Sequence, residues 1–298
     1  MAITGGRVTE SSIHNRVLAN LQRNIAKGQK IQDQLSSGKQ INRPSDSPTG
    51  TVSALQLRGE ARASQQYSRN ADDGLGWLGA IDDTLSNVSA RVITARSLVI
   101  RGLNQGAGDP SANEAIASEI DQLRQSMVGY ANGKYLDRPV FGGATSGGIA
   151  YNPDGSYAGD DGKTSRTVGP GAKVRIDTTG PEAFGEGDEQ LFKVLEDVAA
   201  SIRAGDTAAT TANLGKLDAA HDLVKTTLSD VGARYNRLEQ MKQSAQDRLL
   251  TVTSQLSDIE DVDLPKTIME MQLQQTSYQA ALAASAKVIQ PSLVDFLR

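Results

Sequence analysis

Cysteine is absent from the 298-residue chain, which excludes disulfides, thiolate nucleophiles and thiolate-bound metals. Histidine is almost as scarce. His14 and His221 stand far apart, a poor metal pair, and no Ser or Cys nucleophile constellation surrounds either. His221 falls on an apolar stripe, where a packed histidine with locally satisfied nitrogens is expected. Aromatic residues make up only 4% and hydrophobic residues 38% of the chain. A thick core around a buried sheet uses more large apolar side chains, so thin helical layers are expected. No apolar run approaches the ~20 residues of a membrane-spanning helix. The N-terminal stretch MAITGGRVTESSIHNRVLANLQ lacks a basic region followed by an apolar run, so no secretory signal is read there. A net charge of −4, with 22% charged residues, weighs against nucleic acid as a partner, since such proteins usually carry a basic stripe.

What is present is helical periodicity. Ile13, Val17, Leu18, Leu21, Ile25, Ile31 and Leu35 predict a helix over about residues 10–36, its stripe interrupted by Gly28. Leu75, Leu78, Ile81, Leu85, Val88, Val92, Ala95 and Val99 follow at spacings of three and four, close to a coiled-coil seam. Asp109-Pro110 supplies a capping residue and a proline for the start of the next helix. Ile116, Ile120, Leu123, Met127 and Tyr130 continue it to Asn132-Gly133. From 139 to 187 the chain is rich in glycine and helical periodicity stops. Lys173–Asp177 alternates like a strand and Asn152-Pro153-Asp154-Gly155 reads as a turn, which predicts a small β-rich insert, with disordered linker as the rival reading. Helices resume through Leu191, Leu195, Val198 and Ile202. Leu214, Leu217, His221, Val224, Leu228, Val231, Tyr235 and Leu238 then open a helix that exceeds forty residues, a coiled-coil length. After a break at Asp263-Leu264-Pro265 a last stripe follows, of Leu264, Ile268, Met271, Gln275, Tyr278, Leu282, Ser285 and Ile289.

The layout is nearly palindromic and places a break on each side, at 36–50 (within LSSGKQINRPSDSPTG) and at 262–265. The simplest packing pairs the ends with each other and brings the two breaks side by side as one hinge, with Gly38, Pro44, Pro48 and Pro265 as its residues. Neither terminal helix is expected to hold alone, because helix stability comes mostly from burying an apolar face. The expected fold is mainly α: an elongated rod of paired long N- and C-terminal helices with a small β-rich insert. The divisions are 1–43 with 263–298 as an inner terminal-helix domain, 44–138 with 188–262 as a helical bundle, and 139–187 as the outer insert.

Catalytic signals are weak. Gly162-Lys163-Thr164 resembles the end of a phosphate-binding loop, but Tyr157 stands where that loop needs glycine. Ser36, Lys39, Ser45, Asp46 and Ser47 with Lys163-Thr164-Ser165 mimic the serine β-lactamase set without a scaffold to fold them round a pocket. Asp160-Asp161 reads as a solvated acidic loop. No catalytic residue, metal or cofactor is expected; wide apolar faces on thin terminal helices instead imply association with other chains.

Leu35-Ser36-Ser37-Gly38, Ile41-Asn42, Asp46 and Gly50 together resemble the N-terminal signature of bacterial flagellins and their axial relatives, and Arg69-Asn70-Ala71-Asp72-Asp73-Gly74 matches their RNA-x-DG pattern. Pro44-Ser45-Asp46-x-Pro48, Arg138-Pro139-Val140-Phe141-Gly142-Gly143 and the closing Pro291-Ser292-Leu293-Val294-Asp295-Phe296-Leu297 are similar to the hook–filament junction proteins of that family. The resemblance covers about residues 10–145 and 190–298 and implies a non-catalytic structural protein of the external flagellum, exported through the flagellar type III channel. It implies a ring of about eleven copies with heterologous contacts, lying between the first junction protein and flagellin. It also implies an export chaperone bound at the C-terminal helices. The interface residues so indicated are Ile268, Met271, Tyr278, Leu282 and Ile289, with Val17 and Leu21 opposite. A short flagellin is the alternative, and a cytoplasmic helical scaffold the more distant one.

Overall fold

The computed structural model describes residues 10–105, 109–145 and 148–289. In order they form α1 (Glu10–Ser37), α2 (Pro48–Gln105), α3 (Pro110–Ala131), β1 (Lys134–Tyr135), β2 (Arg138–Pro139), β3 (Ser165–Gly169), β4 (Ala172–Arg175), α4 (Gly180–Phe184), α5 (Leu191–Arg203), α6 (Thr207–Glu260) and α7 (Leu264–Ile289). The chain divides into two compact units, one of residues 62–249 and the other made of the chain on either side of it. The fold is mainly α, with two antiparallel two-stranded ribbons, β1–β2 and β3–β4.

The middle unit is built on heptads. On α2, Ala71, Leu78, Leu85, Val92 and Val99 are buried at intervals of seven, as are Ile81, Val88 and Ala95. On α6 the same interval runs through Leu217, Val224, Val231 and Leu238, and Ala220 and Thr227 form the second buried row. Four positions read as seam depart from it: Leu214, His221 and Leu228 are only partly buried and Tyr235 is exposed. Each stands one residue after the heptad row of Ala220 and Thr227, and a 100° step turns it toward solvent. α3 packs on α5, where Ile116, Ile120 and Met127 meet a stripe of Leu191, Leu195, Val198 and Ile202. α3 starts as its sequence predicts: Asp109 Oδ1 accepts from the Ser111 N–H at 2.9 Å, with Pro110 in the first turn.

Segment 139–187 lies within the middle unit and shares that unit's hydrophobic cluster. Phe141, Tyr151, Phe184 and Phe192 stack with centroids 4.9–5.9 Å apart, and Tyr157 joins Tyr151 at 5.3 Å. Five of the scarce aromatics are thus gathered at one place, while Trp77 and Tyr135 form a separate edge-to-face pair with centroids 5.7 Å apart. Asn132, at the end of α3, pins the segment. Its Oδ1 accepts from the Ala150 and Tyr151 N–H groups at 2.8 Å, and its Nδ2 donates to the Tyr151 carbonyl at 2.8 Å. The Asn152–Gly155 turn forms as expected, with the Gly155 N–H donating to the Asn152 carbonyl at 2.9 Å.

Candidate functional site

The residues singled out as chemical are absorbed by structure. His221 Nε2 lies 2.9 Å from Ser89 Oγ, and burial lowers its pKa, with a further push from Lys225. Asp160 Oδ1 accepts from the Ala144 and Gly162 N–H groups at 2.7 and 2.8 Å, so it ties a loop. Burial pushes the Tyr151 hydroxyl well above the usual phenol range, and Tyr157 up to about 12; neither ionises near neutral pH. Among the described residues no group of three or more His, Asp or Glu side chains is placed to hold a metal ion. The side chain of His14 lies outside the described residues.

The two breaks are organised by the residues that carried the resemblance. Gly38 ends α1 in the left-handed conformation, φ 68°, with its N–H donating to the Gln34 carbonyl. Asp46 folds the following loop: its Oδ2 accepts from the Asn42 and Arg43 N–H groups at 3.2 and 2.9 Å, and its Oδ1 lies 3.1 Å from Lys30 Nζ. The backbone N–H bonds and the lysine hold the Asp46 carboxyl below the usual range. Ser47 caps α2 through its Oγ, which accepts from the Gly50 N–H at 3.1 Å, and Pro48 occupies the first helical position. A side chain at Gly50 would run into Ile41, since a Cβ there falls 2.7 Å from its Cδ1. Asp263 caps α7 through the Lys266 N–H, and Pro265 sits in that helix's first turn. Pro48 and Pro265 are therefore helix starters rather than flexible joints, Pro44 lies in the loop, and the first break narrows to residues 38–47.

The RNA-x-DG residues tie α2 to the β3–β4 ribbon and to α6. Asn70 Nδ2 donates to the Thr167 carbonyl at 2.7 Å, Asp73 meets Arg166 at 2.6 Å and Asp72 meets Lys242 at 2.7 Å. At Gly74 a Cβ would fall 2.8 Å from Leu238 Cδ1 and 3.0 Å from Ile176 Cγ2, so the glycine permits close approach of α6 and of the residue that follows β4. Nothing in the linear pattern pointed to these partners, which lie about a hundred residues or more away.

α1 packs against α7. The covered positions on α7 are Thr267, Met271, Gln274, Tyr278, Ala281 and Ser285; on α1 they are Val17, Leu21, Asn24, Gly28, Ile31, Gln34 and Leu35. Gly28, read as an interruption, belongs to the covered face: a Cβ there would fall 3.9 Å from Gln274 Cγ, and Gln274 Nε2 donates to the Asn24 carbonyl at 2.9 Å. The expected stripe is therefore turned on its helix. Met271 and Tyr278 stay half-covered, while Ile268 and Leu282 are 48% and 43% exposed, and Leu273 beside them is 68% exposed. On α1, Leu18 is 56% and Ile25 44% exposed. The side chain of Ile289 and the closing residues 290–298 lie outside the described residues. A groove of about 400 Å³ opens between the two helices, lined by Asn24, Ile25, Gly28, Met271, Gln274 and Tyr278. The pair thus buries a thin, partly polar seam and leaves much of its apolar surface outside.

Heptad-built helices, a capped joint and a terminal pair with apolar flanks define a class of assembling structural proteins. Comparison with known proteins agrees. The bacterial flagellin N-terminal helical region matches residues 8–136, and the bacterial flagellin C-terminal helical region matches residues 214–297. Flagellin of Bacillus subtilis (strain 168) is 26% identical over 299 residues, covering 95% of this chain and 96% of the relative. Flagellar hook-associated protein 3 of Escherichia coli (strain K12) is 24% identical over 307 residues, covering 93% and 95%. Among solved structures, hook-associated protein 3 of Legionella pneumophila shares the fold with a TM-score of 0.60 at 14% identity, covering 69% of this chain and 98% of that one. A Vibrio parahaemolyticus structure described as a flagellar hook-associated protein gives 0.66 at 21%, covering 72% and 100%. With both helical regions of the family matched and together spanning most of its length, the chain belongs to the bacterial flagellin family. It is a structural component of the bacterial flagellum and not an enzyme.

Proposed function

We propose that this chain is the junction subunit on the filament side of the hook, a reading supported by relatives named flagellar hook-associated protein 3. The observation that carries the reading is the terminal pair. Ile268, Leu273 and Leu282 on α7 and Leu18 and Ile25 on α1 are exposed while Gln274 and Thr267 are covered, an inversion that supports further chains completing the core. Ile268, Met271, Tyr278, Leu282, Ile289, Val17 and Leu21 remain the proposed contact residues. With heterologous head-to-tail contacts, a ring of about eleven such subunits offers the next protein a template. On this reading the chain meets the first junction protein below and flagellin above, is bound before export by a chaperone at α7, and reaches the cell exterior through the flagellar type III channel. The joint at 38–47 and 261–263 sets the angle at which the terminal pair is presented.

A short flagellin is the second reading, favoured by the match to the Bacillus subtilis protein along nearly its whole length. Ser47 and Pro48, which cap and start α2, belong to the segment that departs from flagellin toward the junction proteins. Electron microscopy of a deletion strain separates the two. A junction subunit leaves intact hooks without filaments and flagellin in the medium; a filament subunit leaves hooks with no flagellin released. Retained filaments overturn both.

A further inference from the structure

We propose that the Glu260 carboxylate is a latch that holds the two helix breaks in register. Gly38 and Lys39 on one side and Glu260 to Val262 on the other form a miniature antiparallel bridge. The Gln40 N–H donates to the Glu260 carbonyl at 2.6 Å, the Val262 N–H donates to the Gly38 carbonyl at 3.1 Å, and Lys39 pairs with Asp261. Gly38 is suited to this place, because its left-handed turn ends α1 and leaves its own carbonyl free for Val262. Two backbone hydrogen bonds at a chain break are a weak hold by themselves, since exposed short bridges open readily.

The side chains supply the rest. Glu260 is buried although charged, and its carboxylate lies 2.8 Å from Arg58 Nη2 and 3.6 Å from Lys39 Nζ. Lys39 also bonds Asp261, which accepts a further hydrogen bond from Ser257. Gln34 Nε2 donates to the Gln40 carbonyl at 3.0 Å from the last turn of α1. One carboxylate at the end of α6 therefore gathers a cation from the break after α1 and a cation from α2. Removing it takes from Lys39 and Arg58 the one acceptor they share, although both cations reach solvent and Lys39 keeps Asp261. The breaks are thus fastened to each other.

The test is amide hydrogen exchange on the full chain. In Glu260→Ala the Gln40 and Val262 amides should exchange about tenfold faster than in the wild type. The amides of Leu85 and Val224 in the middle unit should keep their rates. Glu260→Gln, which keeps the shape and part of the hydrogen bonding but not the charge, should fall between. Unchanged exchange at Gln40 and Val262 overturns the latch, and so does equal acceleration at Leu85 and Val224, which makes Glu260 a residue of general stability. Should Glu260→Ala fail to fold, Arg58→Gln serves in its place: a selective loss of protection at Gln40 supports the latch and an unchanged rate sinks it. This readout is independent of the flagellar role, which stands or falls with the deletion strain.

Discussion

Leu282→Asp separates assembly from folding. Leu282 is 43% exposed on α7, so in the free chain a little over half of the side chain is already covered. Burying a leucine fully is worth about 1.5–3 kcal/mol, and completing the burial in an assembly contributes roughly 1 kcal/mol per subunit on that scale. Aspartate loses that contribution and adds the desolvation of a carboxylate, several kcal/mol when unpaired. Each ~1.4 kcal/mol is a factor of ten in association, so attachment should fall by orders of magnitude. The middle unit feels none of this, because Leu282 lies outside it. The expected result is an unchanged circular-dichroism melt of that unit, with loss of chaperone binding and of filament attachment on complementation. Leu85→Ala is the mirror image: Leu85 is fully buried in the heptad core, and its truncation costs about 2–5 kcal/mol. Normal swimming with Leu282→Asp refutes the interface, and a melt lowered as much as by Leu85→Ala refutes the separation of roles.

Gly76→Ala should lower Tm and Gly79→Ala should raise it. Both gain about 1 kcal/mol of helix propensity, but a Cβ at Gly76 lands 2.2 Å from the Tyr135 hydroxyl oxygen and 2.7 Å from its ring, while nothing lies within 4 Å of one at Gly79. The β1–β2 turn carries Leu136 and Asp137 at φ 49° and 62°. Replacing the pair by Asn-Gly, the preferred two-residue hairpin turn, should stabilise the chain by about 1 kcal/mol in denaturant unfolding, and a lower midpoint contradicts the turn assignment. His221 is held below its ordinary pKa by burial, so the unfolded chain takes up its proton first as the pH falls. The stability it contributes is complete above the unfolded value of about 6.5 and is lost as pH falls toward the lower folded one. His221→Gln should flatten that stretch of the stability–pH curve, and an unchanged slope rules the histidine out as its source.

Helix existence was written in local residues because caps and periodicity act locally. Asp109-Pro110 starts α3, Gly38 ends α1, and the heptads at 71–99 and 217–238 state their own buried faces. Three things were decided only in three dimensions. The rotation of the terminal seam depends on Gly28 and Gln274 meeting across the pair, and a single residue's offset in a helix turns a stripe by 100°. The aromatic cluster and the Asn132 clasp fold the glycine-rich segment onto α3 and α5 through contacts that no period announces. Glu260 looked like one more surface charge near a helix end. Its burial between Lys39 and Arg58, each more than two hundred residues away in the chain, arises only when both breaks come together, because ion pairs of that separation have no local signature.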